Sequence, residues 1–241
     1  MAKKIVIASG KGGVGKSSLT VGLCRALQQM DKRVLAIDCD IGLRSLDVLL
    51  RAGSELVFDW GDVLDEVCEP QKALIETDGV FLLAAPLTND PDYTPARMRE
   101  MVALFEDDYD YILIDAPAGV VGEFNLAAAM ADSGIVVATP DALCIRSASR
   151  TANTLNDFNI EDLRLVLNRF QRAAVERSFL LNIDDAIDRS GIRLLGVVPE
   201  DPEVTIRLPK GQPLPKKSLA GKAFARIAKR IDGETVPLRI L

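Results

Sequence analysis

Residues Ile5-Val6-Ile7-Ala8 form a short apolar run, and Gly10-Lys11-Gly12-Gly13-Val14-Gly15-Lys16-Ser17 follows almost at once. A helical pattern begins at Ser17. A strand, a glycine-rich loop and a helix in that order form the opening unit of an α/β fold. The spacing is that of the phosphate-binding loop, G-x-x-x-x-G-K-[ST]. Its glycines let the backbone bend tightly, so that consecutive N–H groups point at phosphate oxygens. The helix that follows aims its positive dipole end at the same place. Lys16 is placed to reach the β- and γ-phosphates, and the Ser17 hydroxyl to coordinate Mg²⁺. With Ser18 these residues form the candidate nucleotide-binding set. Lys11 is a second lysine inside the loop, where most phosphate loops carry no cation.

Apolar runs and helical patterns then alternate to the end of the chain, which predicts a mostly parallel sheet with helices on both faces. Strands are expected at Lys4–Ala8, Arg33–Ile37, Val80–Ala84, Tyr111–Ile114, Gly134–Thr139, Leu163–Leu167 and Arg193–Val198. Helices are expected near Ser17–Met30, Asp59–Val67, Pro95–Phe105, Phe124–Met130, Ile145–Leu155, Ala174–Asn182 and Ser218–Ile231. At 241 residues, 48% of them hydrophobic, the chain can bury a large core. Residues 1–241 are therefore expected to form a single P-loop NTPase domain. The stretch from Leu208 to Pro215 is a loop by composition.

Composition removes several kinds of chemistry. There is no histidine, so Ser-His-Asp triads and His-ligated zinc are excluded. Cys24, Cys39, Cys68 and Cys144 form no C-x-x-C pair and are expected to be reduced, mostly buried thiols. The net charge of −6 gives no strong global attraction to nucleic acid or anionic membrane. No apolar run approaches the roughly 18 residues of a membrane span. Met1-Ala2-Lys3-Lys4 enters the first strand without an apolar leader, so no signal peptide is expected.

Three strands end in chemistry. The first ends at the phosphate loop, the second at Asp38-Cys39-Asp40 and the fourth at Asp115. In a parallel sheet these carboxyl ends share one edge, where ligands bind. An apolar run ending in Asp is the Walker B pattern, weak alone but pointed beside a phosphate loop. The carboxylates are thus expected to converge beside Ser17.

The chain resembles the deviant Walker A ATPases of the MinD/ParA family, and within it the MinD branch. The resemblance is carried by Ser9 through Ser17, by Ile37 through Asp47, by Asp115-Ala116-Pro117-Ala118-Gly119 and by Gly196 through Asp201. Asp40-Ile41-Gly42-Leu43-Arg44 is close to the MinD pattern and differs from the Asp-Pro-Gln of partition proteins. The resemblance implies that Lys11 crosses a dimer to the partner's nucleotide, acting in trans as an arginine finger does. It implies that Asp40 positions the attacking water. Asp38 and Asp115 then hold the Mg²⁺ hydration shell, with Ser17 as direct ligand. Asp40–Asp47 and Ala116–Phe124 become two switches. Asn168-Arg169 and Pro199-Glu200-Asp201 fall where the family frames adenine, and no guanine motif is present, which favours ATP.

The implied function is an ATP-driven dimerisation switch for bacterial cell-division site placement. Its implied partners are a division inhibitor and an ATPase activator. The implied location is the cytoplasm, with the inner face of the cell membrane as a second position. MinD proteins typically end in an amphipathic targeting helix. Here Thr235-Val236-Pro237-Leu238-Arg239-Ile240-Leu241 resembles the stretch just before it. Alternatives are a DNA- or cargo-partition ATPase, a flagellar-placement ATPase and an electron-transfer ATPase of the nitrogenase iron protein type. The last needs cysteines near Asp115–Phe124, which has none. A basic C-terminal helix carries Lys222, Arg226, Lys229 and Arg230, with Leu219, Ala223, Ile227 and Ile231 as its expected apolar face. It can serve membrane or DNA, but packing of that face on the sheet is favoured. Trp60, behind a capping Asp59, is expected to be a packing or interface residue.

Overall fold

The structure is a computed structural model and describes residues 1–177 and 179–239. Among the described residues eight strands form one sheet. They are β1 (Lys3–Ser9), β2 (Val34–Asp38), β3 (Leu74–Thr77), β4 (Val80–Leu83), β5 (Tyr111–Ala118), β6 (Ser133–Ala138), β7 (Asp162–Phe170) and β8 (Arg193–Pro199). The order across the sheet is β3-β4-β2-β5-β1-β6-β7-β8. Every pairing is parallel except that of β3 with β4. The central strands are apolar without alternation because helices cover both faces. Every residue of β2 is buried.

The helices are α1 (Lys16–Gln28), α2 (Ser45–Leu50), α3 (Trp60–Leu64), α4 (Pro95–Ala103), α5 (Phe124–Ala129), α6 (Ala142–Asp157), α7 (Arg172–Glu176), α8 (Ile183–Ser190), α9 (Pro202–Arg207) and α10 (Leu219–Ile231). One layer is built from α1, α2 and α10. The other holds α3, α4, α5, α6 and α8. Gly22 lets α1 approach α10 closely, since a Cβ there would overlap the Phe224 ring.

Several boundaries differ from the sequence reading, each for a local reason. The helix expected over Ala174–Asn182 is instead α7 and α8. Asn182 ends no helix; its side chain caps α8 by accepting from the Asp185 N–H at 2.8 Å. Ser178, inside that expected helix, lies outside the described residues, as do Ile240 and Leu241 of the C-terminal stretch. The helix expected over Asp59–Val67 stops at Leu64, before a left-handed Glu66. On α10 the buried stripe is Ala220, Ala223, Phe224, Ile227 and Ala228. Leu219, expected on that face, is 40% exposed and is not part of the stripe. The apolar face of α10 packs on the sheet layer, as favoured from the sequence.

Candidate functional site

β1 sits between β5 and β6, where the chain's crossovers change direction, and its carboxyl end opens into the glycine-rich loop. This is the position at which open α/β sheets bind ligands. The register sets the carboxylates side by side: Ile7 pairs with Asp115 on β5, and Asp115 with Asp38 on β2. The convergence expected from three strand ends is therefore a consequence of parallel register.

The loop itself is held from two sides. Gly13 and Gly15 have φ of 79° and 89°, left-handed values that only glycine adopts freely. Space around Gly13 is open, so its backbone can be approached closely by a ligand. Gly10 lies against α6, where a Cβ would meet the Ser147 hydroxyl and lie 2.7 Å from Thr151 Oγ1. On the other side Asn168 Nδ2 donates to the Val14 carbonyl at 2.7 Å, and the missing Cβ of Gly15 makes room for it. Asn168, which the sequence reading sets beside adenine, is seen here to brace the loop.

Beneath the loop is a compact charge network. Lys16 Nζ lies 3.0 Å from Asp115 Oδ1, with the two side chains 7% and 0% exposed. Ser17 Oγ donates to Asp115 Oδ2 at 2.6 Å. Thr20 Oγ1 donates to Asp115 Oδ1 at 2.8 Å. Thr20 was not among the residues singled out from sequence. Its signal was its place one helical turn beyond Lys16, on the same face. Asp115 thereby receives a cation and two hydroxyls, which offsets the cost of burying its charge.

Asp38 is buried and holds the base of the first expected switch. Its Oδ1 accepts from the Asp40 N–H at 2.9 Å and its Oδ2 from the Leu46 N–H at 2.8 Å. The second bond satisfies an end group of α2, which has no side-chain cap of its own. Burial, and then the neighbouring charge of Asp115, push the Asp38 pKa up to about 7, against the two N–H donors and Lys16. Burial also raises the pKa of half-buried Asp40, with Lys16 opposing. Ser17, Asp38 and Asp115 present hard oxygen donors of the kind Mg²⁺ prefers. Among the described residues, no group of three or more carboxylates and cysteines could hold a metal unaided.

Lys11 is exposed at the start of the loop. It lies near the first turn of α6. Burial raises the Asp141 pKa, but hydrogen bonds from Cys144 and Thr139, and then the Lys11 charge, bring it below the ordinary value. Ser18 is half-buried in the first turn of α1. The expected adenine frame gathers at the ends of β7 and β8, where Phe170 pairs with Pro199. Arg169 has a left-handed φ of 54° and approaches Glu200 at 4.0 Å. Asp201 differs in kind. Its Oδ1 caps α9 through the Glu203 N–H at 3.0 Å, and its Oδ2 accepts from Ser218 Oγ at 2.6 Å and the Ala220 N–H at 3.1 Å. Its carboxylate is committed to two helix starts.

That commitment has a measurable consequence. Burial opposes ionisation of Asp201, but the Ser218 hydroxyl and the surrounding N–H donors hold its pKa below the ordinary value. A depressed carboxylate pKa stabilises the fold above the unfolded value of about 4, and the contribution fades as pH falls through the native value. Asp201→Ala is expected to lower unfolding free energy at neutral pH by about 2–3 kcal/mol. Urea unfolding at pH 7 and at pH 3 tests this: a difference that does not shrink in acid contradicts the ionised cap.

Comparison with known proteins gives a consistent picture. The model of the CobQ/CobB/MinD/ParA nucleotide binding domain matches residues 5–214. The septum site-determining protein MinD of Synechocystis sp. is 36% identical over 244 residues, which cover 98% of this chain and 92% of the relative. A chain of the MinC:MinD cell division protein complex of Aquifex aeolicus has a TM-score of 0.91 at 34% identity, covering 99% of both chains. The septum site-determining protein MinD of Pyrococcus horikoshii, complexed with Mg-ADP, has a TM-score of 0.84 at 29% identity over 97% of both.

Proposed function

This chain belongs to the CobQ/CobB/MinD/ParA nucleotide-binding family, and on that premise we propose that it is a MinD-like ATPase whose ATP-bound dimer acts in placing the cell-division site. The observation that carries the reading is the arrangement under the loop. Lys16 and Ser17 meet at the buried Asp115, and exposed Lys11 stands at the loop's entrance. Gly10 through Ser18 cradle the phosphates. Asn168, Arg169, Pro199, Glu200 and the backbone of Asp201 flank the base. Ser17, with Asp38 and Asp115 around it, would hold Mg²⁺, which when bound neutralises charge on the phosphate oxygens. Asp40 orients water, and Lys11 serves the partner's nucleotide. The relative solved with MinC supports a division inhibitor as a partner. An activator of hydrolysis is the second partner class.

No described helix is long and apolar enough to cross a membrane. Any membrane contact in this reading is made at the surface by the ATP form, and co-sedimentation with anionic liposomes in ATP and in ADP measures it. The decisive test of the function is ATP turnover against protein concentration, with sedimentation velocity in ATP and in ADP. Turnover per chain is expected to rise with concentration as an ATP-dependent dimer forms. Turnover strictly proportional to protein, with no dimer in ATP, overturns the dimer switch.

A further inference from the structure

We propose that Arg44, Asp59 and Trp60 form a clamp that positions Asp40 for hydrolysis. This role rests on the reading of the site given above.

The segment from Asp40 to Arg44 is a tight turn: the Asp40 carbonyl accepts from the N–H groups of Leu43 at 3.2 Å and Arg44 at 3.0 Å. Such a turn needs fixed ends if Asp40 is to hold one position. The far end is Arg44, whose φ of 51° is left-handed. A non-glycine residue stays there only when its surroundings hold it. The guanidinium provides the hold. Its Nε donates to the Ala85 carbonyl, and its Nη2 lies 2.9 Å from Asp59 Oδ2 in a mostly buried pair. Asp59 divides its carboxylate between two duties. Oδ1 caps α3 through the Gly61 and Asp62 N–H groups, and Oδ2 takes Arg44.

The near end of the turn is the carboxyl end of β2. Trp60 is 0% exposed, and its indole Nε1 donates to the main-chain oxygen of Asp38 at 2.9 Å. The Trp60 N–H also donates to the Ala84 carbonyl at 3.0 Å, and the Tyr93 ring meets the indole edge-on at 4.8 Å. A phenylalanine keeps an aromatic ring there but is smaller and lacks that bond to Asp38. Adjacent residues at the start of α3 therefore hold both ends of the turn that carries Asp40. Among the described residues neither makes a hydrogen bond or ion pair to the loop that takes the nucleotide, so they act through Asp40 as positioning residues.

The test compares Trp60→Phe and Asp59→Asn with the unsubstituted chain. Trp60→Phe removes the indole donor and keeps an aromatic ring. Asp59→Asn keeps the capping oxygen and removes the charge facing Arg44. Each variant is expected to lose about tenfold to a hundredfold in kcat, the scale of a small misplacement of a catalytic group. The Kd for Mg-ATP is expected to stay within about threefold, because the phosphate cradle is untouched. Arg44→Ala combined with Asp59→Asn is expected to cost no more than Arg44→Ala alone, since both break one link. Unchanged kcat in both single variants overturns the clamp. So does a loss of kcat matched by equal losses of ATP affinity and thermal stability, which is the mark of a packing role. Absence of ATP turnover in the unsubstituted chain overturns the reading of the site itself, and the clamp with it.

Discussion

Lys11→Ala is expected to bind Mg-ATP with affinity close to that of the unsubstituted chain and to hydrolyse it about 10³-fold more slowly. The two lysines of the loop stand in different environments. Lys16 is buried against Asp115 of its own chain. Lys11 is exposed at the mouth of the loop, beside the start of α6. A buried lysine at the helix start serves the nucleotide bound by its own loop. An exposed one at the rim can reach a nucleotide on a facing subunit, where it stabilises charge that grows in the transition state. An interaction of that kind is lost from kcat and not from ground-state binding. Mixing makes the argument sharper. In the proposed site Lys11→Ala would lack the donated cation, and Asp40→Ala would lack the residue that orients water. In a mixed dimer one site has Asp40 from the first chain and Lys11 from the second. Turnover of the mixture well above that of either variant alone is the expected result. A mixture no more active than its components assigns Lys11 to its own chain and removes the trans role.

The nucleotide edge of this molecule was legible in the sequence because its parts are local. Strand, glycines, lysine and serine follow one another, and Asp38 and Asp115 each end an apolar run. The parallel register that sets these two carboxylates side by side then follows from the fold class. What was missed depends on partners distant in the chain. α2 has no local cap, because the carboxylate that satisfies its first turn belongs to Asp38 on β2. The bonds that hold Arg44 in the clamp reach Asp59 and Ala85, on two other segments. Asn168 sits among residues expected to frame adenine, yet its amide braces the loop 154 positions away. Two misses were avoidable. Asp78 and Gly79, with φ of 51° and 75°, form the Asp-Gly turn that folds β3 onto β4. That dipeptide between two apolar runs is a hairpin signal. Asn182, with Asp184 and Asp185 close behind, announces the start of α8, not the end of the helix before it.

Lys16→Met is expected to fail in the opposite way from Lys11→Ala, at binding and at folding together. Removing the cation that reaches the phosphates is expected to weaken Mg-ATP binding by about 10- to 100-fold, the scale of a charge-assisted hydrogen bond. The same substitution strips the fully buried Asp115 of its ion-pair partner. Breaking one side of a buried pair costs about 3–5 kcal/mol. Ser17 and Thr20 still donate to Asp115 at 2.6 and 2.8 Å, so the lower end of that range is expected. The two effects can be separated. Adding Asp115→Asn removes the uncompensated charge while keeping an oxygen for a hydroxyl donor. The double variant is expected to regain most of the lost stability in urea unfolding without regaining ATP affinity. Recovery of both would mean that the lysine's main task is to neutralise Asp115, not to hold phosphate. Recovery of neither would mean that Asp115 is needed as a carboxylate by Ser17 and Thr20 even without the lysine.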